Sequence, residues 1–332
     1  MRSLHLTIIW FSSNFMYNTF AQLQPVADVI ITFNFTGINY PKDILFFLYT
    51  RGNGENYQKL MVGDTKLLEQ SSYNISRPTK LITHGWTANG FQESCALPRR
   101  GFLSHGDYNV IVVDWSTYSK TEYTIAASRV KATGQYVSEM IKFLVNKGSD
   151  IKQMSLVGHS LGAHIMGLAA HELSPKVAHL VGLDPARPGF ELNNVEGRIH
   201  HTDADHVEII HTNAGGLGFG FYIGDVDYWP NGGARQPGCG EDMSGSCAHG
   251  RAYMYYAESL ENPDLWYAVK CNLYARFVIG KCNGNDVEPF PRWEPLVTKP
   301  PGNYMLSTQS FPLYGRGLRG ARSTNMLETL LQ

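Results

Sequence analysis

The chain has 332 residues, a formal net charge of −1 and 17% charged residues. That length suits one large catalytic domain with a sizeable core. The near-neutral charge argues against nucleic acid as a partner, because nucleic-acid-binding proteins carry clustered positive charge. After the first residues, no stretch reaches the roughly 18 apolar residues that a transmembrane helix needs.

Residues 1–21 resemble an export signal: Arg2 gives a positive start, residues 4–11 form an apolar core and Ala21 is a candidate cleavage position. An ordinary buried N-terminal segment is the alternative. N-glycosylation triplets begin at Asn34 and Asn74. Together these features predict a secreted, extracellular glycoprotein.

Apolar, β-branched runs alternate with helix-like segments, which is typical of a mostly parallel sheet covered by helices on both faces. The predicted strands are residues 28–33, 80–83, 109–114, 154–157, 177–183, 206–211 and 304–308. The predicted helices are residues 121–147, 161–173 and 251–260. The glycine-rich and aromatic residues 214–240 are predicted to be surface loops, and residues 315–332 a loosely held tail.

The five cysteines are unevenly spaced. Cys239 and Cys247 are close in sequence, as are Cys271 and Cys282, whereas Cys95 stands alone. The simplest pairing is two short-range disulfides and one free thiol. A zinc site is a poor alternative, because neither pair has C-x-x-C spacing. We expect Cys95 to be a buried, inert thiol, with an intermolecular bridge as the alternative.

The pentapeptide Gly-His-Ser-Leu-Gly at residues 158–162 is centred on Ser160. A short apolar run suited to a buried strand precedes it, and apolar residues at helical spacing follow it. Gly158 and Gly162 leave room for that helix to pass close to the strand. This context is typical of a nucleophile elbow, in which a strained turn presents a serine hydroxyl. We therefore predict that Ser160 is a nucleophile, with an ordinary glycine-rich turn as the alternative.

A serine nucleophile needs a base, and the base needs an orienting acid. After a nucleophile elbow, the acid and then the histidine follow in chain order. Asp184 comes directly after the predicted strand 177–183, so it should project from the same sheet edge as Ser160. Asp203 and Asp205 are weaker candidates because they precede their strand. A turn-forming Asp-Pro is the alternative for Asp184.

The residues alone leave the histidine open. The candidates beyond Asp184 are His200, His201, His206, His211 and His249. His211 ends a strand, where a core histidine bonded to backbone is the commoner outcome. His249 follows Cys247 on a loop that we expect a disulfide to fix, which suits a base that must be held in position. These positions favour His249 without excluding His211.

The charge that develops on the substrate oxygen needs two backbone N–H donors. Leu161, directly after the serine, is one predicted donor. Trp86, in the turn after the predicted strand 80–83, is the other, and we expect its indole to border the acyl pocket.

Taken together, the motifs resemble the pancreatic-type lipase superfamily of secreted α/β-hydrolases over about residues 28–308. The matching segments, in the family's order, are residues 48–51, 78–86, 113–116, 157–164, 182–186, 207–212, 230–233, 236–239 and 247–249. The resemblance implies an α/β-hydrolase fold. It also implies Ser160 as nucleophile, Asp184 as acid and His249 as base.

Three departures from the family pattern shape the expectation. The chain is too short for the β-sandwich domain of roughly 100 residues that follows the catalytic domain of full triacylglycerol lipases, so we expect one domain over residues 22–314. The segment matching the family's lid, residues 240–246, is short and polar. In the segment matching its calcium loop, residues 198–203, His200 replaces an acid, so we expect neither a metal nor another cofactor.

A short lid beside a short neighbouring loop, residues 213–227, resembles the phospholipase A1 branch, including insect and venom forms. The resemblance therefore implies a monomeric, secreted serine esterase that acts on lipids at membrane or micelle surfaces. It favours a phospholipase A1 that releases the sn-1 fatty acid through an acyl-enzyme. A neutral acylglycerol or galactolipid lipase is the alternative. A non-catalytic binding protein of the egg-yolk type is a third, against which the intact triad argues.

Overall fold

The structure, a computed structural model, describes residues 39–291 and 299–323. The predicted export signal, Asn34 and the predicted strand 28–33 lie outside the described residues. No helix among the described residues is long and apolar enough to span a membrane.

One eleven-stranded sheet organises the described residues, in the spatial order β10-β9-β11-β8-β7-β6-β5-β3-β4-β1-β2. Its strands are β1 (Leu45–Tyr49), β2 (Gln58–Leu60), β3 (Thr79–Thr83), β4 (Asn109–Asp114), β5 (Met154–His159), β6 (His179–Leu183), β7 (His206–Ile210), β8 (Val226–Pro230), β9 (Tyr267–Lys270), β10 (Val287–Pro289) and β11 (Gly302–Leu306). In this spatial order, all neighbouring strands between β11 and β4 pair in parallel. The pairs β10-β9, β9-β11, β4-β1 and β1-β2 at the two ends of the sheet are antiparallel.

Helices cover both faces of this sheet, because successive side chains of a strand point to opposite faces. The helices are α1 (Tyr40–Asp43), α2 (Thr65–Glu69), α3 (Glu93–His105), α4 (Ser116–Ser119), α5 (Tyr123–Asn146), α6 (Leu161–His171), α7 (Ser246–Glu261) and α8 (Tyr274–Val278). In β5, Leu156 belongs to the core that includes α5 and α6, and Val157 to the core that includes α3 and α7. The predicted α/β-hydrolase fold is confirmed.

Most predicted elements have a counterpart, but the prediction of surface loops over residues 214–240 is wrong in part. Val226–Pro230 form β8, between β7 and β11 within the sheet. Val226 and Tyr228 have no exposed surface, because both lie in the core that α3 and α7 cover.

The structure places His249 in the first turn of α7, whereas the sequence indicated a loop before a helix. The helix begins at Ser246 because the Asp242 carboxylate caps it. That carboxylate accepts hydrogen bonds from the amides of Cys247 (3.2 Å) and Ala248 (2.8 Å). These N–H groups have no partner within the helix, so the cap stabilises this end.

Residues 315–323 are hydrogen-bonded to the domain, whereas the sequence predicted a loosely held tail from Gly315. The Gly315 amide donates to Glu258 Oε1 (2.8 Å), and the Ser323 hydroxyl donates to the carbonyl of Val278 (2.6 Å). The segment therefore packs against α7 and α8. Residues 324–332 lie outside the described residues.

Two disulfides join Cys239 to Cys247 and Cys271 to Cys282. Cys95 is a free thiol with no exposed surface, in the core that α3 shares with the sheet. Burial raises the pKa of the Cys95 thiol, so it stays protonated and unreactive.

We expect iodoacetamide to leave Cys95 unmodified in the folded protein and to modify it after unfolding in guanidinium, because burial blocks both access and ionisation. Peptide mapping without reductant should recover the two disulfides above and a single alkylated cysteine. A peptide that links Cys95 to another cysteine would contradict this pairing.

Candidate active site

Ser160 occupies the turn between β5 and α6, with a φ of 57° and a ψ of −123°. Residues other than glycine rarely adopt such backbone angles, which cost about 1–3 kcal/mol. The surrounding chain comes very close: a Cβ atom at Gly158 would lie 2.1 Å from the carbonyl oxygen of Gly162. A Cβ atom at Gly85 would lie 2.6 Å from the Ser160 Cβ. Only glycine permits these approaches, and the strained turn leaves the Ser160 side chain at the sheet edge.

Asp184 follows β6, the strand beside β5, and is fully buried. Its Oδ1 accepts hydrogen bonds from the amides of Thr212 (2.9 Å) and Asn213 (3.1 Å), which come after β7. Its Oδ2 lies 2.6 Å from His249 Nδ1. Two amide donors and an imidazole thus give this buried carboxylate three hydrogen-bond partners.

The contact with Asp184 fixes the tautomer of His249. Because a carboxylate accepts hydrogen bonds, His249 Nδ1 is assigned as the donor, which leaves Nε2 as the acceptor. A histidine oriented in this way by a buried carboxylate is the arrangement that activates a serine hydroxyl. The structure therefore joins the predicted acid to His249, on the element next to the Ser160 turn.

His211 lies in a different environment. Its Nδ1 faces the carbonyl of Phe219 (2.9 Å), and its Nε2 faces Asp227 Oδ1 (2.7 Å). The ring has no exposed surface and stacks on Trp229 with 3.8 Å between ring centroids. Both nitrogens are engaged, so His211 has none free to act as a base.

The remaining histidine candidates lie away from this edge. His206 begins β7, at the end of the sheet opposite to the one where Ser160 and Asp184 lie. His200 and His201 precede that strand.

His159, directly before Ser160, makes a contact that its sequence position does not predict. Its Nε2 lies 3.1 Å from the carbonyl oxygen of His249, to which it donates. The two imidazole rings are 4.5 Å apart, and Tyr253 packs edge-on against His159 at 5.0 Å. Burial, and then the neighbouring His249, lowers the pKa of His159 well below its ordinary value, so the ring stays neutral. His159 thus ties the Ser160 turn to α7.

The turn after β3 is anchored to β4. The Trp115 indole donates to the carbonyl of His84 (2.9 Å), and His84 Nε2 lies 3.2 Å from Asp114 Oδ1. Burial acts to raise the pKa of Asp114, but its hydrogen bonds with His84 and Ser116 outweigh burial and hold that pKa below its ordinary value. An ionised carboxylate therefore fixes the turn that leads to Trp86.

Both predicted oxyanion donors adjoin Ser160. Leu161 is the first residue of α6, where a backbone N–H has no partner within the helix. Trp86 follows Gly85, whose backbone approaches Ser160 closely. The Trp86 side chain is 42% exposed, and its indole donates to the carbonyl of Thr121 (2.8 Å).

The short loop at residues 240–246 does not shield apolar surface. Met243 is 96% exposed, and Asp242 is committed to capping α7. In the neighbouring loop, Phe221 is 53% and Tyr222 is 70% exposed. Apolar side chains around the site therefore face water.

The segment that matches the family's calcium loop does not fit that ion. The Asp203 carboxylate accepts from the His200 amide (2.7 Å) and lies 3.1 Å from His171 Nδ1. The other nitrogen of His171 lies 3.0 Å from Glu196 Oε2, so an imidazole bridges two carboxylates. Calcium needs a shell of oxygen ligands, and here the carboxylate oxygens already meet protein donors.

Comparisons with known proteins place this chain in a family. The family model of lipases matches residues 31–291. The human protein named inactive pancreatic lipase-related protein 1 is 35% identical over 260 residues, which cover 71% of this chain and 56% of that protein. Mouse pancreatic triacylglycerol lipase is 34% identical over 260 residues, with coverage of 71% and 56%.

Rat pancreatic lipase-related protein 2 is 34% identical over 267 residues, which cover 73% of this chain and 57% of that protein. The chain thus spans little more than half the length of these relatives. The match covers most of the chain, including Ser160, Asp184 and His249. The chain belongs to the lipase family, and these relatives place it among the pancreatic-type lipases.

Proposed function

We propose that the protein is a secreted serine carboxylester hydrolase of lipids, and specifically a phospholipase A1. The observation that carries the proposal is the 2.6 Å contact between Asp184 Oδ2 and His249 Nδ1, next to the strained Ser160 turn. Several relatives, from dog, human and mouse, are named as inactive, so family membership leaves activity open. Catalysis is therefore inferred from the geometry of these side chains.

In the proposed reaction, His249 Nε2 removes the Ser160 proton as the serine oxygen attacks the ester carbonyl. The amides of Trp86 and Leu161 bind the oxyanion, and Asp184 stabilises the imidazolium. Collapse of the intermediate breaks the ester bond, and His249 protonates the departing lysophospholipid. A water molecule, deprotonated by His249, then cleaves the acyl-enzyme and releases the fatty acid.

The open site supports a phospholipid substrate. Covering an apolar groove with the loop at residues 240–246 would bury the Glu241 carboxylate and pull Asp242 from the α7 amides that it caps, and both changes are costly. A site that stays open to water can leave a polar head group at its rim. The exposed Trp86, Phe221 and Tyr222 also suit a neutral acylglycerol or a galactolipid, which remain the alternative substrates.

Secretion is part of the proposal. Two disulfides suit an oxidising compartment. Asn74 is exposed, and its Oδ1 accepts from the Ser76 amide (2.9 Å) in a surface turn, which supports it as a glycosylation site.

We expect Ser160→Ala and His249→Asn each to lower turnover of a short-chain ester by about 10⁴- to 10⁶-fold, because each removes a member of one catalytic unit. His211→Gln is the matched control. It should lower the thermal midpoint yet keep turnover within about tenfold of wild type at a permissive temperature, because His211 supports a buried loop. Substantial activity in Ser160→Ala would overturn the assignment.

His159 should act as a positioning residue. We expect His159→Phe to lower kcat by about 10- to 100-fold with KM little changed, because the His249 carbonyl loses its donor and the base shifts. His159→Gln keeps an N–H donor and should restore part of kcat. Equal kcat values for the Phe and Gln variants would show that the hydrogen bond does not position the base.

Phosphatidylcholine, a galactolipid and a triacylglycerol, assayed side by side with Ser160→Ala as the blank, test the substrate class. We expect the phospholipid to be hydrolysed fastest, with release of the sn-1 fatty acid. A soluble short-chain ester should show no jump in rate at its solubility limit, because no lid has to move. Faster turnover of the triacylglycerol, or such a jump, would favour the neutral lipase.

A further inference from the structure

A group of cations lies beside β9, near the far end of the sheet from β2. Residues 270–285 and 315–323 contain no aspartate or glutamate, although the whole chain has 29 acids against 28 lysines and arginines. The cations in these two segments are Lys270, Arg276, Lys281, Arg316, Arg319 and Arg322. We call the surface that these two segments form the basic surface.

The two segments pack together. The Ser323 amide donates to Asn283 Oδ1 (3.0 Å), and Ala321 is buried in one cluster with Cys271 and Phe277. The Cys271–Cys282 disulfide closes the loop that presents Arg276 and Lys281. Cations that are far apart in sequence are therefore held on one part of the molecule.

No carboxylate of the described residues neutralises these charges. The six cations of the basic surface are absent from every ion pair within residues 39–291 and 299–323, including pairs with the nearby Asp264 and Asp286. Lys270, Arg276 and Lys281 border one cavity of about 450 Å³. Among the residues that the structure describes, positive charge is thus concentrated here without an acidic partner.

Apolar side chains stand among the cations. Leu273 is 61%, Ile279 is 60% and Leu318 is 55% exposed. A soluble polyanion or an acidic protein segment would pair with the cations and leave these side chains in water. A bilayer of anionic lipid can bind both the cations and the apolar side chains, because its head groups attract lysine and arginine and its interface accepts apolar groups.

The basic surface reaches the loops around the active site. The Tyr274 ring lies 2.8 Å from where a Cβ atom of Gly232 would be, after the carboxyl end of β8. The next residue, Gly233, accepts a hydrogen bond from the Ala214 amide (2.7 Å). Ala214 follows Asn213, whose amide donates to Asp184.

We propose that the basic surface docks the protein onto anionic phospholipid bilayers. Its lysines and arginines bind the head groups, and Leu273, Ile279 and Leu318 enter the interface. The inference rests on the proposed action on membrane lipids and adds the kind of membrane, one that carries net negative charge.

Vesicle sedimentation with the Ser160→Ala protein tests the docking without hydrolysis. We expect at least about tenfold tighter binding to vesicles with 30 mol% phosphatidylserine than to pure phosphatidylcholine, with the difference lost at high salt. Replacing Arg276, Lys281 and Arg319 by Gln should weaken binding to the anionic vesicles roughly a hundredfold. The matched control replaces Lys59, Lys66 and Lys131, which are exposed lysines outside the basic surface, by Gln. It should bind the anionic vesicles as tightly as the Ser160→Ala protein does.

A further variant, Leu273→Ser with Ile279→Ser, tests the apolar side chains of the basic surface. It should lower the vesicle binding that remains at high salt. Retained near-ultraviolet circular dichroism shows that each variant is folded. Equal binding to both vesicle types, or equal binding by the Gln variant and its lysine control, overturns the proposal. So does binding to soluble heparin without binding to vesicles. If the wild-type protein hydrolyses no ester and the vesicles are still bound, the docking proposal stands and the proposed function is overturned.

Discussion

The close approach of α6 to β5 is the constraint on which the site depends. With only hydrogen at Gly158, the first turn of α6 lies against the end of β5, and with only hydrogen at Gly162 the same turn lies against the end of β3, so the chain must reverse within a single residue. That residue is Ser160, and its unusual backbone angles are the result. The same reversal places His159 where its Nε2 meets the His249 carbonyl of α7. A bulkier residue at Gly158 would push α6 away from β5, and one at Gly162 would push it away from the end of β3, so either would displace Ser160.

The sequence predicted the central part of this arrangement because local pattern and tertiary structure agree there. The glycine spacing around Ser160 and the position of Asp184 after a buried run reflect backbone geometry, which a sequence records directly. The choice between His211 and His249 is different in kind. It depends on which histidine meets Asp184 across a gap of more than sixty residues, and only the resemblance to a family decided it.

The features that the sequence did not predict are set by packing. The aromatic residues of β8 look like loop residues until neighbouring strands cover them. The start of α7 depends on the Asp242 side chain reaching forward to two amides, a contact that residue type alone does not specify. The nucleophile-elbow pattern G-x-S-x-G does not specify the residue before the serine, which here is His159. Its bond to the His249 carbonyl therefore appears only when α7 is packed beside the Ser160 turn.

The Asp242 cap has a consequence for how the site can be regulated. The loop that a larger lipase could use as a moving cover is here the structure that starts the helix holding His249. Swinging this loop away would uncap α7 and loosen the imidazole at the same moment. The loop at residues 240–246 and the helix that carries His249 therefore cannot move independently. In the proposed docking, the orientation of the whole molecule on the bilayer controls the access of lipid to the site.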